Sequence, residues 1–289
     1  MKPSVFYSVA TLLASLPVTA SQAGEPPSPG TVFSDCKTCP QMVVLPAGSF
    51  LMGTPEGEVG KEPDESPQHT VTFQKPFAIS RYHVTAGELD AYIRETGVVI
   101  KDGDTRPGRL CQASKPRYKQ GPRQPAVCID YHDVQAYAAW LTKKTGHPYR
   151  MLSEAEREYA ARAGSTGPFP FPFDEEGQYQ ISKHANTYGP KDGYSYSSPV
   201  GSYPPNAFGV YDMHGNVYEW VADCWHRDYV GAPTDGSAWM EANGGNCEGA
   251  HIRGNDWGEA PVFSRSGNRN DRDRTARGDY LGFRVAREL

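Results

Sequence analysis

Past residue 16 the sequence has no apolar run long enough to cross a bilayer, no block of consecutive basic residues and no internal repeat. The first absence excludes a later membrane-spanning helix. The second, with 34 Asp and Glu against 29 Lys and Arg and a net charge of -5, argues against nucleic acid as the main partner. The third excludes a solenoid. No Gly-rich loop stands between a strand and a helix, so no dinucleotide site is indicated, and no flavin or haem motif is present. Cys36-Lys37-Thr38-Cys39 has neither a second CxxC nor a His pair beside it, which argues against zinc.

What is present is a 289-residue chain with 30 Gly and 25 Pro, a composition rich in turns and short elements. Its 17 Tyr, 11 Phe and 5 Trp suffice for a packed core, so wholesale disorder is excluded. Lys2, the apolar stretch from Val5 to Leu16 and the small residues around Ala20 to Ala23 form a secretory signal-peptide pattern over residues 1–23, with cleavage expected after Ala23. Residues 24–39 are Pro-rich and polar and are expected to be a tether, with the core domain over 40–289. Export puts six cysteines in an oxidising compartment, where an even count implies disulfides. They fall into close pairs, Cys36/Cys39, Cys111/Cys128 and Cys224/Cys247. Sequential pairing closes the shortest loops. Cys36/Cys39 alone leaves a redox or metal motif open.

Three helices are expected. Thr85 with Glu88 is a capping box opening a helix with Leu89, Tyr92 and Ile93 on one face, closed by Gly97. A second covers Asp133 to Thr145, with Gly146 as its stop. The third runs from Ser153, paired with Glu156, to Ala163. Residues 41–52, 70–73 and 77–79 read as strands, and 101–127 as a long loop stapled by Cys111 and Cys128. After Gly164 helical periodicity is lost. The pattern predicts one α+β domain low in regular structure.

Several segments, in order, carry a resemblance. They are Pro46-Ala-Gly-Ser-Phe-Leu-Met-Gly53, Pro67-Gln-His-Thr-Val71, Tyr82-His-Val-Thr85, the stretch from Tyr149 to Ala163, Gly209 to Trp220, Arg253-Gly254 and Leu281-Gly-Phe-Arg284. Together they resemble the formylglycine-generating enzyme (sulfatase-modifying factor) family over roughly residues 40 to 287. That resemblance implies a compact domain distantly like the C-type lectin fold and often calcium-bound. Independently, Asp212 to Glu219 places two carboxylates around a Gly-containing turn, a mixed oxygen set of the kind Ca²⁺ takes. The family pattern implies one structural calcium on the Asp212 and Glu219 side chains with the Gly215 and Val217 carbonyls. It implies a second on the Asn186 and Asp192 side chains with the Thr187 and Tyr194 carbonyls.

One departure bears on chemistry. Formylglycine-forming relatives carry two copper-binding cysteines after an Arg-x-Gly-Gly-Ser-like stretch, and here those positions are Glu259 and Ser264. A carboxylate and a hydroxyl are hard ligands that do not hold Cu(I) as thiolates do, so no copper is expected and formylglycine formation should be absent. Glu259 next to Trp257 and Phe263 would instead be a general base, burial raising its pKa toward neutrality. Asp256, His251, Arg253, Ser264 and Asn268 are candidates to line the cleft, with Arg265, Arg269 and Arg284 able to orient an anionic substrate. With the signal peptide, Glu259 is similar to the periplasmic, pyoverdine-tailoring branch of the family. The resemblance implies a periplasmic oxidoreductase that oxidises the dihydropyoverdine chromophore of a ferribactin-derived siderophore peptide. Glu259 would take a proton while an acceptor takes the hydride equivalent. The acceptor is not written in the sequence, molecular oxygen being the simplest expectation. Other periplasmic maturation enzymes are expected partners. The alternative is a non-catalytic, calcium-stabilised, lectin-like binding module.

Overall fold

The capping boxes at Thr85 and Ser153 open helices where the sequence predicts them. In the computed structural model, which describes residues 1, 4, 27–103, 111–172 and 181–289, Thr85 and Glu88 cap α1 (Ala86–Thr96), and Gly97 ends it in the left-handed conformation. Ser153 and Glu156 cap α3 (Glu154–Arg162) in the same reciprocal way. The second helix, α2 (Tyr131–Thr145), starts two residues before the expected Asp133, because Asp130 is its cap and Asp133 is the acidic partner that reaches back.

Eleven strands follow in chain order. They are β1 (Val32–Phe33), β2 (Met42–Leu45), β3 (Gly48–Met52), β4 (His69–Phe73), β5 (Phe77–Ser80) and β6 (Tyr149–Met151), then β7 (Tyr218–Trp225), β8 (Asn246–Arg253), β9 (Arg269–Asp273), β10 (Leu281–Phe283) and β11 (Val285–Arg287). One sheet has the order β1-β2-β5-β11-β6, a second β10-β7-β8-β9, and β3-β4 is a hairpin. The architecture is α+β.

Strand alternation explains why the five-stranded sheet sits between two cores. Met42 and Val44 point into one with Tyr92, Tyr137, Trp220 and Phe283, while Val43 and Leu45 point into the other with Phe73, Phe77 and Tyr159. All four β2 side chains are therefore buried.

Two expectations about the N-terminal part have different outcomes. The signal peptide over 1–23 falls, apart from residues 1 and 4, outside the described residues. The expected tether over 24–39 is corrected from residue 30 onward. Gly30 donates to the Val44 carbonyl and Val32 and Phe33 pair with Val43 and Met42, so this segment is an edge of the main sheet. Disulfides join Cys36 to Cys39, Cys111 to Cys128 and Cys224 to Cys247. No helix among the described residues is long and apolar enough to cross a membrane.

Candidate functional site

The stretch from Arg253 to Asn270 leaves the end of β8 and returns as β9. Its arginines turn inward. Arg253 is fully buried and donates to Glu154 Oε1 at 2.6 Å, Glu158 Oε2 at 2.7 Å and the Ser266 carbonyl at 2.8 Å. Arg269, paired directly opposite Arg253 across the β8–β9 ladder, donates to Glu154 at 2.8 and 3.1 Å. The shared carboxylate offsets the repulsion of facing like charges. Arg265 is clamped by Glu65 at 2.7 Å and Glu58 at 3.0 Å, and Asn268 donates to Glu65 Oε1 at 3.2 Å. His251 accepts from the His226 amide at 3.0 Å, sits 2.7 Å from an Arg269 nitrogen and donates through Nδ1 to the Asn270 carbonyl. Burial foremost, with Arg269 and Arg253 beside it and against the pull of Glu154, holds its pKa down at about 3.

These findings correct the sequence reading. His251, Arg253 and Asn268, expected in a substrate cleft, are buried: His251 and Arg253 with Arg269 link β8, β9 and α3, while Asn268 and Arg265 are held by Glu65. Ser264 is also corrected. It is fully buried, its hydroxyl accepts from Asn255 Nδ2 at 2.8 Å, and its carbonyl is 2.7 Å from His214 Nδ1.

The intervening turn, Asp256-Trp257-Gly258-Glu259, behaves otherwise. Asp256 Oδ1 accepts from the Gly258 amide at 2.6 Å and the Glu259 amide approaches the Asp256 carbonyl at 3.4 Å, closing the turn. The Trp257 amide donates to the Asn216 carbonyl at 3.0 Å, and Tyr188 donates to the Glu259 carbonyl at 2.9 Å. Glu259 is half-buried, as are Gly258 and Ala260. The Tyr218 phenol at the start of β7 lies beside this turn and accepts from Asn270 Nδ2 at 3.3 Å. Its pKa is pushed up by burial, then by the facing carboxylates of Asp256 and Glu259. The phenol therefore stays protonated, an O–H donor next to a carboxylate base.

An aromatic wall adjoins the turn. Tyr118 stacks on Tyr196 at 4.6 Å and 15°, and Tyr196 meets Trp257 edge-on at 5.1 Å. The Cys111–Cys128 disulfide packs against Trp257 and Tyr118, so it fixes the base of the wall. The Arg117 guanidinium lies 5.8 Å from the Tyr196 ring and 3.4 Å from Asp279. A cavity of about 230 Å³ lies between the 182–192 loop and Ala260–Pro261, and Glu259 is not among its lining residues. It is smaller than a typical ligand pocket of roughly 300–1,000 Å³. A larger cavity of about 740 Å³ between α2 and the 236–240 segment includes none of the residues expected from sequence. Tyr118 joins the wall without a sequence signal; only long-range packing brings it to Tyr196 and Trp257.

The two expected calcium sets differ. At the first, Glu219 Oε1 is 3.2 Å from Arg157, 3.1 Å from Arg284 and 3.1 Å from His83, all buried. Two guanidiniums already neutralise the Glu219 carboxylate, while Asp212 Oδ1 beside it is buried without a hydrogen-bond partner. Asp212 lies next to this cluster, one oxygen accepting from the Gly201 amide at 2.8 Å. At the second set, Asn186 Oδ1 is buried without a hydrogen-bond partner. Asp192 folds back on the same loop, accepting from the Thr187 and Tyr194 amides at 2.9 Å each. An unmatched acceptor beside a carboxylate on a carbonyl-bearing loop fits a hard cation.

Comparison with known proteins follows from this geometry. A family model described as a sulfatase-modifying factor enzyme 1-like domain matches residues 28–289. The solved structure of PvdO from Pseudomonas aeruginosa superposes with a TM-score of 0.88 at 74% identity, covering 91% of this chain and 100% of that one. A formylglycine-generating enzyme of Thermomonospora curvata is 29% identical over 227 residues, 65% of this chain and 73% of the relative. An inactive C-alpha-formylglycine-generating enzyme 2 of Mus musculus is 31% identical over 292 residues, 86% of this chain and 85% of the relative.

Proposed function

The chain belongs to the sulfatase-modifying factor enzyme family, and from that premise we propose that it is an oxidoreductase acting on the dihydropyoverdine chromophore at Glu259. The observation that carries this reading is the half-buried Glu259 carboxylate at a position where formylglycine-forming relatives use cysteine, set against Tyr218 and the Tyr118–Tyr196–Trp257 wall. The likeness to PvdO supports a pyoverdine-related role.

The substrate ring, a partly saturated dihydroxyquinoline, stacks on the aromatic wall, where such contacts contribute about 0.5–1.5 kcal/mol beyond burial. Glu259 accepts a ring proton and Tyr218 donates a hydrogen bond that orients the ring oxygen. The hydride equivalent passes to molecular oxygen, which with a proton becomes hydrogen peroxide. The substrate thus loses two hydrogens and gains one double bond, and no sulfur or copper is required. Three disulfides support an oxidising compartment, which we read as the periplasm. Asn186 and Asp192 side chains with the Thr187 and Tyr194 carbonyls would hold a calcium that stiffens the loop over Glu259. Chelation should then lower the melting temperature and added Ca²⁺ restore it, whereas an unchanged transition ends the calcium assignment.

The test of function is conversion of dihydropyoverdine by Glu259→Gln, followed by absorbance with peroxide as the second product. Loss of turnover with substrate binding kept supports the reading. Full conversion overturns it. Binding without turnover by the unaltered protein favours the lectin-like module.

A further inference from the structure

The Cys36–Cys39 disulfide is unlike the other two. It joins residues three apart in sequence, against 17 for Cys111–Cys128 and 23 for Cys224–Cys247. Stabilisation by restricting the unfolded chain grows with loop length, so this bond contributes the least to holding the fold. Its two sulfurs sit in different surroundings. Cys39 is 6% exposed and belongs to the core with Met42 and Val44, while Cys36 is half-buried at the surface.

The polar groups around it address one sulfur only. The Thr38 hydroxyl lies 3.7 Å from Cys36 Sγ. The same oxygen accepts from Lys144 Nζ at 2.9 Å, which leaves the hydroxyl hydrogen for the sulfur. Lys144 is itself held in place by Glu95 at 2.6 and 2.8 Å. A donor chain therefore runs from Lys144 through Thr38 to Cys36, where it would stabilise a thiolate.

We propose that Cys36–Cys39 is a thiol–disulfide exchange site whose partner is a dithiol oxidoreductase of the oxidising compartment. A thiolate of the partner attacks Cys36 Sγ, the bond to Cys39 breaks, and the electron pair leaves on Cys39, which takes a proton. A second partner thiol then displaces Cys36 from the mixed disulfide. The partner ends as a disulfide and Cys36 and Cys39 as a dithiol, with the departing Cys36 thiolate received by the Thr38 hydroxyl. The reverse sequence recloses the bond. The site lies next to β1 and α2, away from the turn at 256–259, and does not depend on the reaction assigned to Glu259.

The whole protein is equilibrated in glutathione and glutathione disulfide mixtures, trapped by alkylation and read pair by pair by peptide mass spectrometry. Cys36 and Cys39 are expected to open at a ratio where the other two disulfides remain closed. In a second measurement Cys39→Ser leaves Cys36 as a single thiol. Adding Thr38→Val should slow its alkylation at pH 7 about tenfold, the effect of roughly one pH unit in thiolate population. Lys144→Met should slow it in the same direction. Opening of the three disulfides together, or an alkylation rate untouched by Thr38→Val, overturns the proposal.

Discussion

Two sets of residues interleave between Arg253 and Asn270 and face opposite ways. Arg253, Arg265, Asn268 and Arg269 point inward to Glu154, Glu158 and Glu65, with exposures of 4% or less. Gly258 and Glu259 form a half-buried turn beside the buried Trp257. The inward set completes α3, a helix whose nine residues are all buried although five of them are charged. Such a helix exists only because each charge meets an opposite one, and each pairing depends on the next. The outward turn is tied by backbone bonds to Asn216 and Tyr188. Charge density along this stretch is thus no guide to which side chains face a ligand; the direction each side chain takes is.

The contrast can be broken at either side. Glu259→Gln should lower chromophore oxidation by roughly 10²–10⁴-fold, the usual weight of a general base, while denaturation stays within about 0.5 kcal/mol of the parent. A matching loss of stability would move Glu259 into the framework. Arg253→Met should do the opposite, destabilising by about 3–5 kcal/mol because Glu154 and Glu158 keep their charge without their shared partner. Urea unfolding reads this directly, and a change below about 1 kcal/mol would show that the network is dispensable.

Acidity sharpens the same contrast. Unfolded His251 protonates near its ordinary value of 6.5, whereas the folded protein holds it neutral down to about 3. Across that window the unfolded state binds the extra proton, so stability falls as pH falls, by about 1.4 kcal/mol per unit. Asp223 acts in reverse. Burial, with Glu154 beside it, raises its pKa from 3.8 to about 7, so the folded state takes that proton first and gains stability as pH falls through 7. His251→Gln should therefore change the slope of stability against pH by about 1.4 kcal/mol per unit, toward greater stability at lower pH, between about pH 6.5 and 5. The parent slope surviving in that variant would remove His251 from the account. The smallest effect belongs to the wall. Tyr196→Ala should weaken substrate binding about 3–10-fold and leave the maximal rate nearly unchanged, with Tyr196→Phe restoring affinity.

What the sequence revealed was local. Thr85 with Glu88 and Ser153 with Glu156 are three residues apart, so their boxes could be read before the structure. The chain from Gly30 to Cys39 looked like a tether because its composition is polar, and only its pairing with β2 shows otherwise. The arginines misled for a related reason. Arg253 finds Glu158 at a separation of 95 residues, and Arg265 finds Glu65 at 200, so no motif announces the pairing. The Glu219 carboxylate seemed a metal ligand by spacing. Its partners Arg157 and Arg284 lie 62 and 65 residues away and were invisible at that range. The place of Glu259 follows from Gly254 in the family pattern, but the stacking of Tyr118 on Tyr196, 78 residues apart, has no such signal.

The strand β11 lies between β5 and β6, well inside the five-stranded sheet, while β10 two residues earlier edges the other sheet and Arg284 between them grips Glu219. A ribosome or a translocation channel delivers residues in numerical order, so the space between β5 and β6 stays open until residue 287 emerges. Until then Ala78 and Ile79 pair with β2 alone and Tyr149 has no partner strand. Closure of the molecule is thereby postponed to the end of delivery.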